Sequence, residues 1–121
     1  MEQSVAHVNN TAQLYRILTQ QLGVTSERIV VVVNRYDKHA AVQPDMVVKA
    51  VGCREPFKLP NMYELALDST NTAIPLFEMD ADSSVTRGLL ALCSHIHGTE
   101  PPEPNGLFRR TLAALTTRSH A

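Results

Sequence analysis

Residues 29–33 form an unbroken run of five β-branched apolar residues, and this run constrains the fold more than any other feature. Such a run is typical of a strand buried on both faces, as in the middle of a parallel sheet covered by helices. It ends abruptly at Asn34-Arg35-Tyr36-Asp37. Because ligands of open α/β sheets bind just beyond the carboxyl ends of the strands, we expect Asn34 and Asp37 at a binding edge.

The remaining sequence alternates helical and extended patterns. We expect strands over residues 28–34 and 55–59, and helices over residues 10–22, 44–51, 62–68 and 84–97. Asn9 or Asn10 is the expected cap of the first helix, which should stop at Gly23. This order predicts an α/β fold with parallel strands and a C-terminal tail helix. Two strands alone do not make a stable parallel sheet, so the pattern predicts a partial, doubly wound sheet.

The helix over residues 84–97 has an amphipathic pattern, with Ser83 or Ser84 as its cap and Gly98 as its end. Residues 69–72, followed by Pro75, predict a turn. The inward-facing residues of the helix should be Val85, Leu89, Leu92, Cys93 and Ile96. Cys53 and Cys93 form no C-x-x-C pair, which favours two buried thiols over a disulfide framework or a zinc site.

Length and charge narrow the class of protein. With 121 residues and 44% hydrophobic composition, the chain can form one small globular domain. Its net charge of −1 gives no general reason to expect nucleic-acid binding. The sequence has no apolar run long enough for a membrane span and no signal pattern, so we expect a cytoplasmic location. His95 and His97 lie about 200° apart on a helix and cannot share a metal ion.

The residues after the apolar run suit a purine base. The amide of Asn34 has a donor and an acceptor that match the N6/N7 edge of adenine, and Arg35 can lie against a purine face. An Asp three residues after an Asn is also the spacing with which GTPases bind guanine, so the motif does not choose between the bases. The structural alternative is a turn in which Asp37 caps its own loop.

Several motifs in this order resemble the C-terminal half of the MinD/ParA family of deviant Walker ATPases, in particular its CpaE/TadZ-like branch of Flp/Tad pilus assembly proteins. The resemblance covers roughly residues 1–97 and implies a P-loop NTPase fold. The matching segments are residues 2–4, 10–22, V-V-V-N-R-Y-D at 31–37, F-K-L-P-N at 57–61, N-T-A-I-P-L at 71–76, and residues 84–96.

The resemblance implies an adenine-binding wall and also shows departures from the family. The wall would comprise Asn34, Arg35, Pro60 and Asn61, and Asp37 belongs to the same cofactor-binding set. Met62 stands where the family branch usually has an Asp. Ala73 replaces the usual Gly, so we expect that turn to avoid a positive φ.

The phosphate-binding part of the family is missing from this sequence. None of the five glycines precedes a Lys, and no glycine-rich phosphate loop is present. We therefore expect this chain to hold only the base side of ATP and to lack hydrolytic activity and catalytic residues of its own. Magnesium is expected only with an N-terminal half, and Met1 would fall inside the family fold, as in a C-terminal fragment.

The resemblance implies three regions and a role in pilus assembly. Residues 1–98 would be the C-terminal half of the ATPase domain, residues 99–105 a proline-rich linker and residues 106–121 a basic amphipathic tail. The parent protein would position or assemble a Flp/Tad-type pilus apparatus, with pilus assembly proteins as partners and homodimer formation as a further expectation. A non-catalytic protein-binding module and part of a GTPase of the same superfamily are the alternatives.

The tail has two competing interpretations. Arg109, Arg110 and Arg118 occur without any acid in residues 106–121, which is typical of a helix on the cytoplasmic membrane surface. The alternative is a helix that docks on the domain's own core, or a frayed end. In either bound form the contacts would come from Leu107, Phe108, Arg109, Arg110 and Leu112.

Overall fold

The computed structural model describes residues 1–98, which form a mixed α/β fold. The elements are α1 (Val5–Arg16), β1 (Val32–Tyr36), α2 (Pro44–Val51), β2 (Phe57–Pro60), α3 (Tyr63–Thr72), α4 (Leu76–Met79) and α5 (Ser84–His97). A π-helical turn (Ile17–Gln21) extends α1, and a 3₁₀ turn (Ser26–Arg28) precedes β1. The predicted linker at 99–105 and tail at 106–121 lie outside the described residues.

The strands β1 and β2 are parallel neighbours, which confirms the predicted α/β class. Val32 pairs with Phe57 and Val33 with Lys58, and the register shifts before Tyr36 pairs with Pro60. Both strands therefore end at the same edge of the sheet. Within residues 1–98 the sheet has these two strands, in keeping with a partial parallel sheet.

Met1 occupies a strand position on the other edge of β1. Its ammonium group donates to the Val32 carbonyl oxygen at 2.8 Å, and its own carbonyl oxygen accepts from the Asn34 N–H at 2.8 Å. On the opposite edge, toward β2, the Val31 carbonyl oxygen accepts from the Phe57 N–H at 2.9 Å. Because alternate residues of a strand bond to opposite neighbours, Met1 and β2 flank β1. The end of β1 is thus held from both sides.

The core lies mainly between α1, α2 and the segments beside them. One cluster of buried residues comprises Val8, Tyr15, Val42, Val47, Val51 and Cys53. On β2, the helix α5 approaches closely at Gly88, where a Cβ would lie 3.2 Å from Leu59 Cδ2 and 3.6 Å from Pro60 Cδ. A larger side chain at this position would push α5 away from the strand that carries Pro60.

The first helix begins earlier than predicted. Its N-cap is Ser4, whose hydroxyl accepts from the His7 N–H at 3.2 Å, so the assignment to Asn9 or Asn10 is wrong. The sequence did not indicate Ser4 as the N-cap, because the apolar spacing between residues 5 and 9 is weak, with Val5 exposed and Val8 buried. The predicted stop is confirmed, since Gly23 has a positive φ of 66° after the π-helical turn.

The apolar run is less buried than expected. β1 begins at Val32 rather than at residue 28, because residues 26–28 form the 3₁₀ turn. Val33 is fully buried, whereas Val30 is 36% exposed, so burial of the whole run on both faces is wrong. In the part of the chain that the structure describes, β1 has β2 on one side and only Met1 on the other. These neighbours do not bury the whole apolar run. β2 is displaced by two residues at its start from the predicted strand.

The predicted turn at residues 69–72 is wrong, because α3 continues to Thr72. The hydroxyls of Thr70 and Thr72 donate to the carbonyl oxygens four residues earlier, so these polar residues are satisfied inside a helix. Ala73 then ends the helix with a φ of 55°. The expectation that this position avoids a positive φ is therefore also wrong.

The last helix keeps its predicted ends but not its predicted face. Ser83 is the N-cap and accepts from the Thr86 N–H at 3.2 Å, and Gly98 ends the helix with a φ of 69°. Cys93 is exposed and Ile96 is 62% exposed, so both are wrongly predicted as inward-facing. The buried-thiol prediction holds for Cys53 alone. The reason is the close contact at Gly88, which small residues permit and hydrophobic periodicity does not reveal.

Candidate functional site

A groove of about 320 Å³ lies at the carboxyl end of the two strands. Its volume is at the lower end of the range for small-molecule sites. The groove is lined by β1, the β2–α3 connection, α3 and α5, through Asn34, Arg35, Pro60, Asn61, Met62, Tyr63, Ala66, Leu67, Thr70 and Val85. The structure thus brings four of the five predicted cofactor-binding residues, all except Asp37, around one groove.

The two asparagines are fixed by backbone hydrogen bonds at the strand ends. The Asn34 N–H donates to Met1, and the Asn61 N–H donates to the Tyr36 carbonyl oxygen at 3.3 Å. The Asn34 Oδ1 accepts from the Arg35 N–H at 3.0 Å. Within residues 1–98, neither Asn34 Nδ2 nor the Asn61 side-chain amide makes a hydrogen bond, so both groups can reach a ligand.

Arg35 reaches across the groove toward α3. Its guanidinium carbon lies 5.9 Å from the centre of the Tyr63 ring, and its Nη1 lies 3.5 Å from Glu2 Oε1. Both members of this ion pair are about half exposed, so we expect it to stabilise the fold by at most about 1 kcal/mol. Arg35 also has a positive φ of 54°, at the point where the strand register shifts. This uncommon backbone conformation sets the direction of its side chain.

Asp37 lies in a neighbouring hollow of about 310 Å³ that it shares with Glu2 and His7. Its Oδ1 accepts from the His39 N–H at 2.8 Å, which is the turn interaction that the sequence offered as the alternative to base binding. The hollow touches Arg35 and Asn61, so it borders the groove. Asp37 therefore shapes the loop beside the groove, and its carboxylate does not line the groove itself.

Gln3 holds this loop and was missed by the sequence reasoning. Its Oε1 accepts from the Asp37 N–H at 2.6 Å, and its Nε2 donates to the carbonyl oxygens of Asp37 at 3.1 Å and Val42 at 2.7 Å. These contacts join residues more than thirty positions apart. No local pattern could have indicated them.

The apolar side of the groove was also missed. Tyr63 and Leu67 lie one helical turn apart on α3, 58% and 41% exposed, and both line the groove. Met62, noted in the sequence only as a departure, accepts from the Ser84 hydroxyl at its sulfur at 3.1 Å. This contact ties the start of α3 to the start of α5. The exposed apolar stripe of α3 is the signal that could have identified Tyr63 and Leu67.

A second hollow of about 210 Å³ lies near the start of β2 and the end of α5. Arg54 and Glu27 form an ion pair of 3.2 Å there, and the His95 ring lies 4.9 Å from the Phe57 ring. Burial raises the pKa of the Cys53 thiol, which lies beside this hollow. None of the predicted cofactor-binding residues lines this second hollow.

The groove presents one guanidinium, two side-chain amides and an apolar wall. These groups suit a flat, polar heterocycle that can stack and form hydrogen bonds. In the stretch from residue 1 to 98, no group of three or more His, Cys, Asp or Glu residues is placed to hold a metal ion. In the same stretch, no helix is long and apolar enough to cross a membrane.

The chain matches no model of a known protein family, no curated protein and no solved structure. The relationship to the MinD/ParA family therefore stays a prediction that depends on the order of short motifs. The architecture that stands without it is a mixed α/β fold with two parallel strands.

Proposed function

We propose that the chain binds a purine base in the groove at the strand ends, as the base-side wall of an adenine nucleotide site. One observation carries this proposal: Asn34, Arg35, Pro60 and Asn61, nominated from the sequence, line a single groove. The groove lies at the carboxyl edge of parallel strands, where ligands of open α/β sheets bind.

Each side chain has a defined role in this proposal. Asn61 can donate and accept at the edge of the base, while Asn34 can donate through Nδ2 and accept at the second lone pair of Oδ1. The Arg35 guanidinium, above Tyr63, supplies a planar cation for stacking on the ring face. The Pro60 ring adds an apolar contact. Together they select a planar heterocycle with donors and acceptors on its edge.

Binding to this chain should be weak, and hydrolysis is not proposed for it. Phosphoryl transfer depends on neutralising the charge of the phosphates, and the sequence has no glycine-rich loop with a lysine for that purpose. The Arg35 guanidinium is half exposed and already paired with Glu2. Base contacts alone therefore dominate the proposed affinity for ATP, and magnesium plays no part in it.

The proposed cellular role follows from the resemblance. Order and spacing of the motifs support a place in a MinD/ParA-like ATPase that positions or assembles a Flp/Tad-type pilus apparatus at the cytoplasmic membrane. Pilus assembly proteins are the proposed partners. A protein-binding module without nucleotide remains the alternative from a different class, and the binding experiment separates the two.

The test uses the full chain labelled with ¹⁵N and titrated with adenosine, ATP and GTP at millimolar concentration. We expect adenosine to shift the side-chain amide signals of Asn34 and Asn61 and the backbone signal of Tyr63. Asn61→Ala should abolish the shifts at Asn34 and Tyr63. Asn10→Ala serves as the matched control, because Asn10 is exposed on α1 and away from the groove.

The possible outcomes separate the hypotheses. Shifts with adenosine and ATP that Asn61→Ala removes support the adenine site. Larger shifts with GTP than with ATP favour the GTPase alternative, in which the base is guanine. Absence of shifts with all three ligands, in a chain whose amide signals are well dispersed, contradicts nucleotide binding and favours the protein-binding module.

A further inference from the structure

Helices α3 and α4 are the least covered helices of the fold. Neither has a buried residue, whereas α1, α2 and α5 each bury at least two side chains. Among residues 1–98, the extensive contacts of α3 are with α4. The Ser69 hydroxyl donates to the Ile74 carbonyl oxygen at 2.6 Å, which ties α3 to the turn before α4. The two helices are therefore fixed to each other, and much of their surface stays open to solvent.

Large apolar side chains are exposed on both helices and on the turn between them. Leu67 of α3 is 41% exposed, and Ile74 of the turn and Phe77 of α4 are both 42% exposed. Leu67 lines the base groove, whereas Ile74 and Phe77 do not. A single exposed apolar side chain is ordinary, but several on neighbouring elements mark an interaction surface. Base binding does not account for this apolar surface.

The same region carries charge of one sign. Residues 59–86 contain five acids and no Lys, Arg or His, although the whole chain has 12 acidic residues and 11 Lys or Arg. All five acids are exposed, and none belongs to an ion pair within residues 1–98. Their charges are therefore not balanced within this stretch of the chain. The five are Glu64, Asp68, Glu78, Asp80 and Asp82.

On α3, the acids border the apolar surface on the side away from the groove. Tyr63, which lines the groove, lies about 40° to one side of Leu67 around the helix axis. Glu64 lies about 60° and Asp68 about 100° to the other side. The exposed apolar residues thus have carboxylates beside them. We call this set the acidic apolar surface, and it comprises Leu67, Ile74 and Phe77 with Glu64, Asp68 and Glu78.

The negative charge selects among the partners that this surface could bind. It repels the phosphates of nucleic acid and of an anionic membrane. A second copy of the chain related by a twofold axis would present the same patch, so acids would oppose acids. A cationic partner is attracted instead. Among the recurring modes of peptide recognition, an amphipathic helix is the one that packs apolar anchors on a surface formed by helices.

We propose that the acidic apolar surface binds a basic amphipathic helix of a partner protein. The apolar side chains of that helix pack on Leu67, Ile74 and Phe77, and its Lys or Arg side chains face the three acids of the surface. The proposal does not depend on base binding, because Ile74 and these acids lie outside the groove. The chain would therefore dock a partner protein through a surface that is distinct from the proposed nucleotide site.

The test uses the full chain and a fluorescent peptide of leucine and lysine, in which the leucines recur at helical spacing. Fluorescence anisotropy at physiological salt measures binding. We expect Ile74→Lys to weaken binding at least about tenfold, because it removes an apolar contact and adds a charge that repels the peptide. Val5→Lys is the matched control, because Val5 is also an exposed apolar residue but lies on α1. It should leave the dissociation constant nearly unchanged.

A second pair of variants tests the role of charge. Glu78→Lys should weaken binding of the same peptide at least about fivefold. Asp45→Lys should leave binding nearly unchanged, although Asp45 and Glu78 are both exposed acids in the first turn of a helix. Equal dissociation constants for Ile74→Lys and Val5→Lys would overturn the proposal. So would equally tight binding of a leucine–glutamate peptide with the same spacing.

Chemical-shift mapping keeps the proposal testable if a substitution disturbs folding. The peptide is added to the unmodified chain labelled with ¹⁵N. We expect it to shift the backbone amide signals of Leu67, Ile74 and Glu78 and to leave those of Val5 and Leu22 in place. Shifts confined to other parts of the chain would overturn the proposal.

Two other occupants of the surface would each give a distinct result. A dimer that Ile74→Lys dissociates, and that does not bind the peptide, would assign the surface to a second copy and overturn the proposal. Sedimentation equilibrium of the full chain measures this state. Peptide binding that arises only after Arg109, Arg110 and Arg118 are replaced by Glu would show competition by the chain's own C-terminal sequence. That result would also overturn the proposal of a separate partner.

Discussion

Gln3 and Asp37 are joined in both directions: the Gln3 Oε1 accepts from the Asp37 N–H at 2.6 Å, and the Gln3 Nε2 donates to the Asp37 carbonyl oxygen at 3.1 Å. The same Nε2 donates to Val42 at 2.7 Å. One side chain thus satisfies three backbone groups of the loop that follows β1. This loop borders the candidate groove through Arg35 and Asn61.

Replacing Gln3 should therefore destabilise the loop. Gln3→Ala leaves the Val42 carbonyl and the Asp37 N–H without their partner, while the Asp37 carbonyl still accepts from the Ala40 N–H at 3.3 Å. We expect this substitution to lower the free energy of unfolding by about 1–3 kcal/mol. Urea denaturation measures the loss. Gln13→Ala is the matched control, because Gln13 is exposed on α1, and it should change stability by less than about 0.5 kcal/mol. Equal losses for the two variants would show that the Gln3 contacts add nothing.

Local sequence patterns predicted part of this fold, but they did not predict the contacts between residues far apart in the chain. The predicted helix over residues 44–51 is confirmed as α2, because Pro44 at its start and Gly52 after its end act through backbone geometry alone. The side of α5 that packs was missed at Cys93 and Ile96, since it depends on Gly88 meeting Leu59. A periodic pattern in one helix does not contain that information.

The candidate site likewise contains residues that the sequence predicted and residues that it did not. The rule for strand ends predicted Asn34 at the binding edge, whereas Pro60 and Asn61 were predicted only through the family resemblance. Gln3 reaches the edge of the site only through tertiary structure, more than thirty residues before the loop that it holds. Its position along the chain follows no such rule.

Ala73 offers a test of backbone strain at the end of α3. Its φ of 55° is in the left-handed region, which disfavours residues with a Cβ. We expect Ala73→Gly to raise the free energy of unfolding by about 1 kcal/mol. Ala66→Gly, inside the same helix, should lower it by about 1 kcal/mol instead. Thermal or urea unfolding of the two variants must give opposite signs, and a loss of stability in both contradicts the left-handed cap.

The raised pKa of the buried Cys53 thiol predicts a pH dependence of stability. In the unfolded chain this thiol ionises near pH 9.0, whereas in the folded chain burial keeps it protonated to higher pH. Its contribution to stability is therefore complete below pH 9.0 and is lost as the pH rises above that value. The urea midpoint should decrease from pH 7 to pH 10, and this decrease should be larger for the unmodified chain than for Cys53→Ala. A parallel fall in both chains refutes the effect.

Arg35 links backbone strain to the proposed base contact, and two substitutions separate them. Arg35→Ala removes the guanidinium over Tyr63 but keeps a Cβ at the positive φ of 54°. Arg35→Gly removes the guanidinium and also the steric cost of that φ. We therefore expect Arg35→Gly to be more stable than Arg35→Ala by about 1 kcal/mol in urea denaturation. Both variants should lose the adenosine-induced shift at Tyr63 equally, because both lack the stacking cation. A variant that keeps the shift would remove Arg35 from the site, and equal stabilities would show that the positive φ costs nothing.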